Sequence, residues 1–272
     1  MTDALNGLDN AERTACRVAE RVTGAAARAW DVGGRIGAVD AFLDYADGRS
    51  AAFEVTRAAT DPTALQLDNL LGRDGFEWPL PGIWWWTVSI GDVRDLPRAR
   101  QCFAKVVLLC EAASVTRPDA LFVADVENLD ADARWLVEES SVSLRGHPGV
   151  PAVEGSKIRA AMVTPEGGGG VVDDSLSGLN DVLHEAFTAD HLIRRVSKLR
   201  RTPADERHLF LIVHQSDLRF DVTSALMFGQ EVPPGRAWTP EGISHLWLAP
   251  AFSKRVLLGS PTGWSQAFPY DT

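Results

Sequence analysis

The sequence is poor in cysteine, and its charge has the wrong sign for a protein that binds nucleic acid without discrimination. Its three cysteines, Cys16, Cys102 and Cys110, are odd in number, and no two have the spacing of a zinc knuckle or a redox CxxC. They predict reduced core thiols in a cytoplasmic protein. The formal net charge of −10 counts against a protein that binds nucleic acid mainly through non-specific phosphate contacts. A negative net charge is still compatible with a cleft that is locally basic or that binds a metal ion.

Long apolar runs and the best-marked catalytic motifs are also absent from the sequence. No run of 18 apolar residues occurs, so we expect no membrane span. The first residues lack the basic and apolar regions of a secretion signal. The six histidines show no HxxxH or HExxH spacing, and no GxSxG or GxxxxGK[ST] motif is present.

The segment from Asp40 to Thr56 carries the clearest chemical pattern of the chain. Alternating apolar residues mark two strands, and Asp47-Gly48 between them is a strong hairpin-turn signal. Asp40 opens the first strand, and Glu54 lies near the end of the second. A hairpin brings the start of one strand beside the end of the next. We therefore expect both carboxylates at one end of the sheet, where such a pair holds a hard divalent cation such as Mg²⁺.

The surrounding pattern predicts one α/β domain, 1–272, with a mixed central sheet flanked by helices. A helix is expected over 9–30 and a long amphipathic helix or helix pair over 176–201. Strands are expected over 121–123 and, as a buried central strand, over 208–213. The remaining assignments are core segments of about 9–58 and 176–260 and a large, tryptophan-rich insertion of about 60–175.

With these elements in this order, and with Asp40 and Glu54-Val55-Thr56 as its motif, the chain resembles the restriction-endonuclease-like, or PD-(D/E)XK, superfamily. The resemblance covers about residues 9–58 and 176–214. It implies a restriction-endonuclease-like core and phosphodiester hydrolysis by an endonuclease or phosphodiesterase that uses Mg²⁺ or Mn²⁺. It also implies Asp40, Glu54 and Thr56 as catalytic residues, and Asp40, Glu54 and the Val55 carbonyl as metal ligands. Glu20 is the upstream helix acid that would join them.

The motif departs from the family pattern at two positions. Val39 stands where a proline often precedes the aspartate, and Thr56 stands where the family has lysine. Thr56 can hydrogen-bond a water molecule but carries no positive charge. Arg57 follows at once, yet neighbouring residues of a strand point to opposite faces, which makes Arg57 a poor replacement for that lysine.

Basic residues suited to a phosphate backbone are few. Arg194, Lys198 and Arg201 align at i, i+4 and i+7 on the predicted helix. Together with Arg57 they are the expected nucleic-acid contacts. A solvated polar helix face explains the three helical residues as well.

Three functions stay open at this point. The first is a nuclease-like cytoplasmic protein that acts on or binds nucleic acid. The second is a catalytically inactive nuclease-fold module for interaction or scaffolding, as a homodimer or with a protein partner, in which Asp40 and Glu54 are structural. Thr56 and the large insertion favour the second. A small-molecule enzyme with its pocket in the insertion is a third, supported only by aromatic content.

Overall fold

The computed structural model describes residues 4–32, 37–60, 62–73, 75–80, 82–149, 160–165, 174–214, 216–251 and 253–270. The chain divides into two compact units, Met1–Thr60 with Gly169–Thr272, and Asp61–Gly168. The second unit lies within the segment expected as an insertion. Among the helices of the described residues, none is long and apolar enough to cross a membrane.

The helices and strands are numbered in chain order. The helices are α1 (Asn10–Thr23), α2 (Pro62–Gly72), α3 (Leu96–Ala112), α4 (Val123–Glu127), α5 (Ala131–Glu138), α6 (Leu179–Ala186), α7 (Asp190–Arg201) and α8 (Phe220–Phe228). The strands are β1 (Ala26–Ala29), β2 (Ala41–Asp44), β3 (Ser50–Arg57), β4 (Glu77–Pro79), β5 (Trp85–Ile90), β6 (Val142–His147), β7 (Ala160–Pro165), β8 (Glu206–Val213), β9 (His245–Pro250), β10 (Val256–Ser260) and β11 (Gly263–Ala267).

The first unit is built on a seven-stranded sheet of order β1-β2-β3-β8-β9-β10-β11. Strands β3, β8 and β9 are parallel to one another, and the other neighbours pair antiparallel. One face packs on α1 through residues such as Phe53 and Trp247. The other face packs on α6, α7 and α8 through residues such as Leu209 and Leu211. The predicted α/β class, with a mixed sheet flanked by helices, is therefore confirmed.

Helix α1 ends earlier than the sequence predicts. Asp9 caps it through the Glu12 amide, and Gly24 closes it in the left-handed region at φ 73°. The predicted helix over 9–30 is therefore wrong beyond Thr23, because β1 there pairs with β2. The alanines of this segment favour a helix, but the intrinsic helix propensity of a few residues is weaker than backbone pairing with β2 in the sheet.

The predicted hairpin is confirmed. Ala41 of β2 lies opposite Phe53 of β3, and Asp44 lies opposite Ser50. Gly48 has φ 88° in the connecting turn, a conformation that glycine adopts without strain. The helical segment over 176–201 is a pair, α6 and α7, rather than one continuous helix.

The second unit has its own four-stranded sheet, of order β4-β7-β5-β6, and its own core. Glu111 of α3 accepts hydrogen bonds from the Ile83 amide, the Trp84 amide and the Trp86 indole, and so fixes the segment that leads into β5. The strand predicted over 121–123 is wrong. The chain begins helix α4 at Val123, and both Phe122 and Val123 are exposed.

Candidate functional site

Asp40 extends the β2–β3 ladder with its side chain. The last backbone pair of the two strands is Ala41 with Phe53. Asp40 directly precedes Ala41, and its carboxylate is buried. The Oδ2 atom of Asp40 accepts a hydrogen bond of 2.7 Å from the Val55 amide. A buried amide without an acceptor would be costly, so the side chain supplies the acceptor where the strand has ended.

Glu54 lies in the middle of β3 and points to the face covered by α7, where it is fully buried. A buried carboxylate is costly unless it is paired. Lys198 Nζ lies 2.8 Å from each carboxylate oxygen of Glu54 and donates to Oε1. Arg195 Nη1 donates to the same Oε1 at 2.5 Å. Within the described residues Oε2 accepts no well-aligned hydrogen bond, but it lies in ion-pair contact with the Lys198 ammonium.

Helix α7 supplies both cations of the site. Arg195 and Lys198 are three residues apart and therefore lie on one helix face. Lys198 Nζ is also 3.4 Å from Asp40 Oδ1. One ammonium group thus bridges the two carboxylates, and the two acids and two bases cancel in formal charge.

The site contains a carboxyl group that titrates near neutral pH. Burial raises the pKa of Glu54 to about 7, and the charge of Asp40 adds to the rise, while Lys198 and Arg195 oppose it. Burial also raises the pKa of Asp40, although its hydrogen bond from Val55 favours the ionised form. Glu54 therefore exchanges its proton in the range where a general acid or base works best.

A basic cleft of about 460 Å³ lies along α7 and shares Arg195 and Lys198 with the carboxylate site, although neither Asp40 nor Glu54 lines it. Lys198 lines this cleft while its ammonium binds Glu54 and Asp40, and 13% of its side chain is exposed. The chain is acidic overall, so a concentration of positive charge here marks a local preference for anions. The cleft is lined by Gly37, His191, Ile193, Arg194, Arg195, Ser197, Lys198 and Arg201.

The remaining predicted residues occupy different surroundings. Thr56 follows Glu54 by two residues on β3 and is half-buried on the same face. The Val55 contact in this site is made by its amide. Arg57 donates to Oδ1 of the fully buried Asp217 at 2.5 Å and is only 14% exposed. Arg194 and Arg201 line the cleft.

Glu12 is the acid of α1 whose pKa responds to the charge of Asp40. Glu20 Oε1 accepts from the Ala27 amide at 2.9 Å, and its Oε2 pairs with Arg17. Burial raises the pKa of Glu12, and the neighbouring charge of Asp40 adds to that rise. The helix acid whose charge reaches the carboxylate pair is thus one that the sequence pattern did not single out.

The donor set suits a hard divalent cation. Asp40 and Glu54 offer carboxylate oxygens, the ligands that hard divalent ions prefer, although the Lys198 ammonium lies 2.8 Å from both oxygens of Glu54. Lys198 occupies the position between the carboxylates, so a divalent ion would bind there only after its ammonium moves away. Comparison of the chain with protein-family models, with curated proteins and with solved structures gives no match, and no family membership is assigned to it.

Proposed function

We propose that this protein hydrolyses phosphodiester bonds in nucleic acid with a divalent metal, as a restriction-endonuclease-like enzyme whose lysine comes from helix α7. Asp40 and Glu54 are the metal-binding carboxylates, with the Val55 carbonyl as a further oxygen. The observation that carries the proposal is the contact of Lys198 Nζ with both carboxylates, 2.8 Å from Glu54 and 3.4 Å from Asp40. Thr56 cannot supply positive charge, and Lys198 can.

The chemistry divides between the metal and the side chains. Mg²⁺ or Mn²⁺ supplies activation of the attacking water and neutralisation of the phosphate charge. Asp40 and Glu54 would hold the ion, and Lys198, which lines the cleft, would then be free to contact the scissile phosphate there. Arg194 and Arg201 contact the flanking phosphates through their guanidinium N–H groups. Glu54 holds or releases a proton near neutral pH, as its pKa of about 7 indicates.

Metal-dependent cleavage tests the proposal directly. Single- and double-stranded DNA and RNA are incubated with Mg²⁺ or Mn²⁺ and the wild-type chain, Asp40→Asn, Glu54→Gln or Lys198→Met. Lys105→Met is the matched control, because Lys105 is exposed on α3 and pairs with Asp130. We expect cleavage to need the metal, to fall at least about 100-fold in the three site variants and to persist in the control. Equal activity in all five proteins would contradict the assignment.

A second candidate function is an inactive interaction module, as a homodimer or with a protein partner. The charge balance of Asp40, Glu54, Arg195 and Lys198 favours it, because these four groups hold α7 against β3 without a metal. Calorimetric titration with Mg²⁺ and Mn²⁺ separates the two functions. No binding at millimolar metal, with no cleavage, supports the module.

The cytoplasm is the location that we propose for either function. Cys16, Cys102 and Cys110 are all buried and unpaired. Burial raises the pKa of both Cys16 and Cys110 to about 12, so these thiols stay protonated and unreactive. Unpaired core thiols suit a reducing compartment.

A further inference from the structure

A second polar cluster lies on the opposite face of the same sheet. Glu206 and His208 are two residues apart on β8 and therefore lie on one face of the sheet, together with Phe210. This face packs against α1, whereas Glu54 points to the opposite face, which α7 covers. His245 of β9 lies directly opposite His208 in the parallel ladder. One ligand atom from each of the three side chains lies within 4.8 Å of the other two. Two imidazoles and a carboxylate thus converge at the start of two adjacent strands.

We propose that Glu206, His208 and His245 bind one divalent transition-metal ion of the zinc class. Two imidazole nitrogens and one carboxylate oxygen are a donor set that Zn²⁺ uses, and imidazole selects such metals over Mg²⁺. His208 Nε2 is 3.0 Å from Glu206 Oε2, and His245 Nδ1 is 3.8 Å from the same oxygen. An ion can therefore reach all three ligands with small side-chain rotations.

The groups around the cluster hold the ligands in place. Tyr45 donates its hydroxyl to Glu206 Oε2 at 3.1 Å, and Arg49 donates to Oε1 at 2.5 Å. Such outer contacts orient a ligating carboxylate. The Arg49 side chain is half exposed, so it can turn into solvent when a cation binds. Burial lowers the pKa of both His208 and His245, so both rings are uncharged at neutral pH.

Two contacts oppose the metal: Ser244 Oγ lies 3.0 Å from His245 Nδ1, and Trp247 contacts His208 in a way that sharpens the test. The Trp247 indole N–H donates to His208 Nδ1 at 3.3 Å, which leaves the His208 proton on Nε2, directed at Glu206. An ion at Nε2 requires that proton to move to Nδ1, where it faces the indole N–H. The Trp247 bond is long and therefore weak. Its loss reduces the metal affinity without preventing binding.

Metal titration of the tag-free chain tests the site. Co²⁺ gives visible d–d absorption when few nitrogen and oxygen ligands surround it, and calorimetry with Zn²⁺ gives the stoichiometry. In the Asp40→Asn background, which removes the other proposed metal site, we expect one ion per chain, and binding at least about tenfold weaker when His245→Ala or Glu206→Gln is added. Trp247→Phe, which removes the opposing N–H, binds about tenfold more tightly.

Two controls separate this site from other binding. His184→Ala removes an exposed histidine of α6 that packs on Trp238, and it leaves the affinity unchanged. The Asp40→Asn change itself leaves the affinity of this site unchanged, so failure of the proposed nuclease site does not affect the result. Absence of Co²⁺ bands together with no Zn²⁺ binding at millimolar concentration overturns the proposal. Undiminished affinity in a folded protein that carries His245→Ala, or no gain in a folded protein that carries Trp247→Phe, overturns it as well.

Discussion

Replacement of Lys198 by methionine should change metal binding and catalysis in opposite directions. Methionine has nearly the length of lysine and no charge, so the change removes the ammonium that bridges Glu54 and Asp40. In the wild-type protein a divalent ion must displace this ammonium before it reaches the carboxylates. In Lys198→Met that competition is absent, and the affinity for Mg²⁺ and Mn²⁺ should rise. Cleavage should fall, because no lysine remains to meet the phosphate.

The magnitude follows from the burial of the partners. Removal of one member of a buried ion pair costs about 3–5 kcal/mol, because the other charge is left without compensation. Glu54 keeps its contact with Arg195, whereas the nearly buried Asp40 loses its contact with Lys198, so we expect a loss of stability at the lower end of this range, about 3 kcal/mol, above pH 7. The loss is smaller below pH 7, where Glu54 takes up a proton. A divalent ion regains part of this free energy, and we expect its binding to tighten about 10- to 100-fold.

Calorimetry and cleavage assays on the same preparations provide the measurement. Urea denaturation confirms that Lys198→Met is folded under the conditions used, and Lys105→Met reports the effect of removing a lysine outside the site. A folded Lys198→Met protein that binds Mg²⁺ no more tightly than the wild type would refute the reasoning. The ammonium would then not occupy the position of the metal.

Three further predictions concern stability. The pKa of Glu54, about 7 when folded and 4.5 ordinarily, makes the folded state bind more protons between these values. The free energy of unfolding of the wild-type protein, compared with that of Glu54→Gln, should therefore fall by about 3 kcal/mol as pH rises from 4.5 to 7. Equal pH dependence in the two proteins would contradict this. Asp217→Ala removes the buried carboxylate that Arg57 binds and should cost about 3 kcal/mol in urea denaturation, whereas an unchanged midpoint contradicts it. In Gly24→Ala the added Cβ meets no neighbouring atom, but alanine is forced to adopt φ 73°. Thermal melting should therefore show a loss of about 1 kcal/mol in the free energy of unfolding, and a raised Tm would contradict this.

Local sequence signals were sufficient to predict the hairpin, whereas Glu54, expected near the end of its strand, lies in the middle of β3. The Asp47-Gly48 turn fixes the register of β2 and β3, and the register brings Asp40 beside the end of β3. The residues that decide this arrangement are close together in the sequence. The mixed α/β class followed in the same way, from helices and strands whose periodicities differ.

The partners of the acids could not be predicted in the same way. The helical periodicity around Lys198 allows contact with a phosphate backbone but favours a solvated polar face. The contact of Lys198 with Glu54 depends on the parallel pairing of β3 with β8, in which Glu54 lies opposite Leu209, and on how α7 packs across both strands. Neither is encoded locally. The helix predicted for Ala26–Ala29 was wrong for a related reason, because this segment is a strand only through its pairing with β2.

The pairing of β3 with β8 also determines the order in which the chain can fold during synthesis. About 150 residues separate the two strands, so at ribosomal rates of about 5–20 residues per second β3 is exposed for roughly 7–30 s before β8 follows. During that time one edge of an apolar strand offers free backbone groups to other chains. Glu54, with an ordinary pKa of 4.5, is then ionised in the middle of that strand. The charge that is costly in the finished protein therefore opposes aggregation of the nascent one.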